Sequence, residues 1–211
     1  MYFNRTLRHF ILTLFTSLFL FQTNAQILTF DFNGLAGSEA SASSNNNDPN
    51  LAVATISRGG GLNASNNGNR FNANNWALTN IDNAVTGDDY MEFTVTPNTG
   101  YEFSITSIDI NFQRSGTGTR EIELRSSVDG YVSSLGTNFT ITDNTSVQTH
   151  TFSFAQSASA SPVTFRFYGW AESTSGTGGF EGSGNDIVVN GVVTTSAAST
   201  ATMCARTSSR R

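Results

Sequence analysis

The sequence predicts an all-β protein, a two-sheet antiparallel β-sandwich of the jelly-roll type. Three observations carry that prediction. Apolar and polar residues alternate in short runs bounded by Gly, Asn and Asp, which is the period-2 signature of half-buried strands. Seventeen Phe residues supply the aromatic core material, with 19 Gly for turns and only three Pro to interrupt strands. Outside the N-terminal segment no stretch shows helical periodicity.

Taken in order, residues 27–34 (ILTFDFNG) place Leu28, Phe30 and Phe32 on one side of a first strand that ends at Gly34. Residues 35–50 are a polar Ser/Asn loop, and residues 51–57 form a second strand. The triple Gly at 59–61 and the Asn-rich residues 63–75 make a long irregular loop, of the kind that often serves binding. Residues 76–78 form a short strand at the end of that loop, and residues 90–96 a longer one that turns at 97–100.

The most organised stretch is 105–131. Phe103 and Ile105 are odd-numbered, whereas Ile108 and Ile110 are even, so a bulge or break is expected at Thr106-Ser107. After a polar loop at 115–119, residues 120–128 form the next strand, and Asp129-Gly130 supplies a tight turn. Strands at 139–142, 147–154 and 163–171, a Gly-rich loop at 173–184 and a final strand at 186–194 complete nine or ten strands, with the first and last near one another.

At the N-terminus, Arg5, Arg8 and His9 precede an apolar run at 10–21 and small residues at 23–25, the order of a secretory signal peptide. Residues 1–25 are therefore read as a signal peptide, 26–194 as the sandwich domain, and 195–211 as a disordered linker or truncated tail that departs in composition from what precedes it. The tail reads either as a linker to downstream modules or as a truncated or frameshifted end. The expected location is secreted, extracellular or at the cell surface, with no membrane insertion after signal cleavage.

Charge narrows the partners. All 11 basic residues are Arg, and only six of them fall within 26–194, where all 16 acidic residues lie. An excess of ten negative charges repels phosphate backbones, which argues against nucleic acid. Cys204, in the tail, is the one cysteine, so the domain has no internal disulfide. With no Lys and one His (His150) after residue 25, the usual nucleophile, base and transition-metal sets are missing, and no Walker pattern exists.

The segments FDFNGLAG (30–37), RSGTG (114–118), LRSSVDGY (124–131) and NDIVVNGVV (185–193) resemble a module of secreted multi-domain proteins of Bacteroidota. There it precedes a linker and a sorting domain of the type 9 secretion system; no recognisable sorting domain follows residue 194 here. More remotely, a strand ending in Ser-Ser-x-Asp-Gly looks like the discoidin and galactose-binding jelly rolls used as carbohydrate-binding modules. That likeness implies a glycan partner and a structural Ca2+.

Four sets of residues can then be singled out. On the 163–171 strand, Arg166, Tyr168 and Trp170 alternate against Phe165 and Phe167, so with the phenylalanines inside they form an outward aromatic pair beside a guanidinium. Such faces stack on sugar rings unless a neighbouring loop covers them. Trp76 with Asn75, at the end of the Asn-rich loop, is the second ligand-binding candidate. Asp31 and Asp186 would meet if the first and last strands are neighbours, as calcium ligands or as solvated strand-end caps, and Asp88-Asp89 is a second acidic pair. For hydrolysis, Glu121 and Glu123 share a strand face roughly 6.6 Å apart, from the ~3.3 Å rise per residue. The Glu-x-Asp-x-x-Glu motif of jelly-roll glucanases is nevertheless absent, position 123 being Glu and 126 Ser. The expectation is a non-catalytic accessory module that binds polysaccharide or glycan, or alternatively a structural or adhesive spacer with no small-molecule site.

Overall fold

The computed structural model describes residues 25–197. The signal-peptide reading of 1–25 and the tail reading of 195–211 fall almost wholly outside those residues. Two antiparallel sheets pack face to face as a sandwich, as the alternation requires. Among the described residues no helix is long and apolar enough to cross a membrane.

The first sheet is built on β9 (Tyr101–Arg114), which pairs with β12 (Gln148–Ser159) on one side and with β15 (Ile187–Thr195) on the other. Next to β15 lie β1 (Ala25–Phe30) and β3 (Asn46–Asn47). The far end of β9 pairs with β14 (Gly178–Phe180), followed by β6 (Phe71–Asn74) and β5 (Asn63–Ala64). The second sheet runs β11 (Phe139–Thr140), β10 (Thr119–Ser126), β13 (Val163–Ala171), β8 (Tyr90–Val95), β4 (Thr55–Arg58) and β2 (Ser41–Ser43), with β7 (Ala77–Leu78) parallel to the end of β13. Between β8 and β13 the chain crosses from one sheet to the other repeatedly, so no long run of consecutive strands stays in one layer.

Phenylalanines from both layers fill the space between them. Phe167 on β13 meets Phe180 on β14 edge to face with centroids 5.0 Å apart, and Phe30 on β1 meets Phe93 on β8 at 5.4 Å. These edge-on contacts suit the ring quadrupole, and each buried ring adds about 1.5–3 kcal/mol of transfer energy.

The phase break in β9 is a bulge. Asn190 of β15 faces Ser107 and Gly191 faces Ile105, so Thr106 is the extra residue, and Phe103, Ile105, Ile108, Ile110 and Phe112 are all buried. A Cβ on Gly191 would sit 2.0 Å from the Ser104 carbonyl oxygen, so the bulge requires glycine opposite it. At the other expected turn, Gly130 takes φ 72° after a 3-10 turn at Ser127–Asp129.

Two features differ from expectation. Among the described residues fifteen strand segments replace nine or ten, because the polar loops at 35–50 and 59–75 and the Gly-rich loop at 173–184 contribute two- to four-residue pairings that alternation cannot show. A helix, α1 (Ile81–Gly87), follows β7, although no helical period marks it. Its seven residues bury only Ile81 and Ala84, one i, i+3 pair. Its start is set by Asn80, whose side chain accepts the Asn83 N–H at 3.0 Å.

Candidate functional site

The outer face of β13 is covered. Phe165 and Phe167 point into the core as expected, and Arg166, Tyr168 and Trp170 point the other way, but α1 and the segment around Tyr131 lie over them. Tyr168 is only 2 % exposed and packs edge to face on Tyr90 at 5.3 Å, against Ile81 and Ala84 of α1. The Arg166 guanidinium lies between the Tyr90 and Tyr131 rings, 4.0 and 3.9 Å from their centroids, and donates to Glu92 at 2.8 Å and to the Tyr168 hydroxyl at 3.2 Å. Trp170 is half-buried. Trp76 is 1 % exposed, packed on Phe112 with its indole N–H on the Ala73 carbonyl. The expected stacking faces of Tyr168 and Trp76 are thus interior surfaces. Asn75 stays exposed at φ 61°, its backbone N–H bonded to the Thr174 carbonyl and its side chain to the Gly61 carbonyl, tying three loops together.

The paired glutamates share one hydrogen-bond network. Asn138 Nδ2 donates to Glu121 Oε1 at 2.8 Å and to Glu123 Oε2 at 3.0 Å. Trp170 Nε1 donates to Glu121 Oε2 at 3.0 Å, and Arg125 Nε donates to Glu123 Oε1 at 2.5 Å. Each of the four oxygens has a fixed donor, which orders this sheet face.

Asp31 and Asp186 are brought to one strand end, since β1 and β15 are neighbours. Asp186 is 1 % exposed; its Oδ2 accepts the Phe32 N–H at 2.7 Å, while its Oδ1 is buried without a partner. Burial, with help from the nearby Asp31 and Glu181 carboxylates and against the Phe32 and Gly182 N–H groups, pushes the carboxyl up to about 7. Asp31 Oδ1 is occupied by the Asn33 N–H, and Glu181 pairs with Arg70. Asp186 Oδ1 is thus enclosed, while Asp186 Oδ2 and Asp31 Oδ1 already accept backbone N–H groups; Asp31 Oδ2 accepts none among the described residues. Among the described residues no group of three or more His, Cys, Asp or Glu assembles as a metal cluster.

The loops singled out in the sequence converge elsewhere, at the Arg114 end of β9. A cavity of about 220 Å³ lies there, lined by Asn67 and Arg70 from the Asn-rich loop, Gln113 and Arg114 from β9, Ser115 from the polar loop, Thr145, and Thr177 from the Gly-rich loop. All seven carry side-chain hydrogen-bonding groups. The loops are locked around it: Ser115 and Thr177 exchange N–H to O bonds, and the fully buried Arg114 guanidinium donates to Asp143 at 2.7 Å, to the Gly116 carbonyl at 2.6 Å and to Glu172 at 3.1 Å. Arg120 joins the same two carboxylates, and Arg70 contacts both Gln113 and Glu181. The Asn67 side chain has no protein hydrogen-bond partner among the described residues.

A larger cavity of about 320 Å³ runs along the bulged half of β12, lined by Val128, Leu135 and Phe154 with Gln156 and three serines. Its apolar wall suits an aliphatic group more than a polyol. No protein-family model and no curated protein sequence matches the chain.

Proposed function

We propose that this chain is a secreted, non-catalytic accessory module that binds carbohydrate in the polar cavity at the Arg114 end of β9. The observation that supports this reading is the all-polar lining of that cavity by loops held in place by buried arginine. Amide, hydroxyl and guanidinium groups from separate loops match the many donors and acceptors of a sugar. At about 220 Å³ the cavity is below the ~300–1,000 Å³ of sites for drug-sized ligands, which favours one sugar unit or a chain end. Preformed polar groups bind without the ordering cost of a mobile site.

The test is a glycan array probed with the full chain and with Asn67→Ala and Gln113→Ala variants. The expected result is binding to a restricted glycan class that weakens about tenfold in each variant, the effect of one lost hydrogen bond. A second reading is a structural or adhesive spacer within an exported multi-domain protein. The saturated Glu121, Glu123, Arg125 and Arg166 network favours it, since that face spends its polar groups internally. Absence of binding to every glycan would select the spacer.

A further inference from the structure

We propose that Asn67 is a site of self-modification: in the folded chain its side-chain amide is lost to attack by the Gly68 backbone nitrogen, ahead of the other Asn-Gly steps, leaving aspartate or isoaspartate in the polar cavity. Asn-Gly occurs at 33–34, 67–68 and 190–191. Glycine matters in this pairing because no Cβ shields its nitrogen. The Gly68 nitrogen bonds to Asn67 Cγ, the amide nitrogen leaves with the displaced proton as ammonia, and a succinimide ring closes. Water then opens the ring at either carbonyl, so the net change is amide plus water to carboxyl plus ammonia, with no oxidant or cofactor. The reaction needs no ligand and stands apart from the glycan reading.

Of the three steps, only Asn67-Gly68 has both reacting groups free among the described residues. The Asn67 side chain is exposed and unpartnered, and the Gly68 N–H donates to no protein acceptor. A Cβ on Gly68 would meet nothing nearer than the Leu35 carbonyl oxygen at 3.8 Å, so a ring has room to close there. The flanking N–H groups hold the turn instead, Asn67 donating to the Ala36 carbonyl at 2.9 Å and Asn69 to the Leu35 carbonyl at 2.8 Å. Arg70 and Arg114 line the same cavity and no acidic residue does, so the anionic nitrogen and the new carboxylate both form near guanidinium groups. At Asn33 the Gly34 N–H is held by Asn69 Oδ1 at 2.9 Å, with the Asp31 carboxylate on the adjacent N–H. At Asn190 the side-chain amide donates to Ser107 Oγ at 3.0 Å and to Asp109 Oδ2 at 2.7 Å, within the β15–β9 pairing. Isoaspartate lengthens the main chain at residue 67, where the backbone already presses on Gly37: a Cβ there would lie 2.2 Å from the Asn67 carbonyl oxygen. That product therefore loosens the lock between the 35–37 and 67–69 segments.

Peptide mapping by mass spectrometry, after incubating the full chain at mildly alkaline pH either folded or in urea, tests this site, with isoaspartate marked by an isoaspartate-directed methyltransferase. In the folded chain Asn67 should convert first, Asn33 about fivefold more slowly because one hydrogen bond must break, and Asn190 more than about a hundredfold more slowly because two must, one of them to a carboxylate. In urea the three steps should react at similar rates. Gly68→Ala, which has room for its Cβ, should fold and lose most of the Asn67 conversion. Folded Asn33 or Asn190 reacting as fast as Asn67 would overturn the assignment, as would a folded Asn67 that stays intact while the urea sample converts, or undiminished conversion in Gly68→Ala.

Discussion

Replacing Arg114 separates the stability of the sandwich from the order of its loops. The guanidinium is wholly buried and makes three charge-assisted bonds, to Asp143, Glu172 and the Gly116 carbonyl, while its Nε has no partner. Bonds of this kind contribute about 1.5–3 kcal/mol each when removed singly, but the desolvation of the cation offsets much of that. The partner side chains are 66 % and 36 % exposed, so they rehydrate when the cation goes and leave no buried orphan charge. Arg114→Ala therefore costs about 3 kcal/mol, at the lower edge of the range for a broken buried pair, chiefly through the void and the freed loop. That corresponds to a fall of about 6–12 °C in Tm. Arg114→Met fills the same space without the charge and should lie within about 1 kcal/mol of wild type. Urea unfolding of both variants measures the difference. If Met costs as much as Ala, the ion pairs themselves stabilise the fold and the packing argument is wrong; if Ala costs under about 1 kcal/mol, the buried arginine is not holding the loops.

Two further outcomes follow from the same contacts. The Asp186 carboxyl is raised in the folded state, so it holds its proton across a window where the unfolded chain has released it. Its contribution is complete below the ordinary carboxylate range near 4 and is lost as pH rises through about 7, on the order of 4 kcal/mol in all. Urea midpoints from pH 4 to pH 8 should fall in wild type and fall less in Asp186→Asn, where Asp89, also pushed up by burial to about 6, leaves a smaller slope of the same sign; an equal slope in both would assign the effect to other groups. Asn80→Ala removes the cap of α1 and should cost about 1 kcal/mol, and acrylamide quenching of Trp170 should rise as the helix loosens over it. Unchanged stability and quenching would mean that α1 is held by Ile81 and Ala84 alone.

Much of the architecture is legible in the alternation, because side-chain direction in a strand follows directly from position. The parity change between Ile105 and Ile108 located the Thr106 bulge, and the Phe165 and Phe167 pattern put the right face of β13 inside. The cover on its other face was not legible. Helix α1 is too short to show a period, and its one signal is Asn80 ahead of Ile81 and Ala84. Tyr168 therefore reads as a surface aromatic from strand phase, and Trp76 from its place at the end of the Asn-rich loop, although both are buried by chain distant in sequence. The polar cavity was half visible: the Asn-rich, polar and Gly-rich loops stood out individually, but their meeting depends on β14 pairing with both β9 and β6. A three-residue strand with two glycines carries no alternation that announces such a pairing. Asp31 and Asp186 did meet, yet sequence cannot show that one oxygen is sealed and another already bonded.

The central claim is that ligand enters the loop-end cavity and not the Tyr168 to Trp170 strand, and side-chain NMR during titration with a bound glycan tests it most directly. The account predicts that the Asn67 and Gln113 amide signals and the Ser115 and Thr177 backbone amides shift, while the Trp170 indole N–H stays on Glu121 and does not move. Shifts confined to the Trp170 indole and the Asn138 amide, with the cavity signals unmoved, would contradict it.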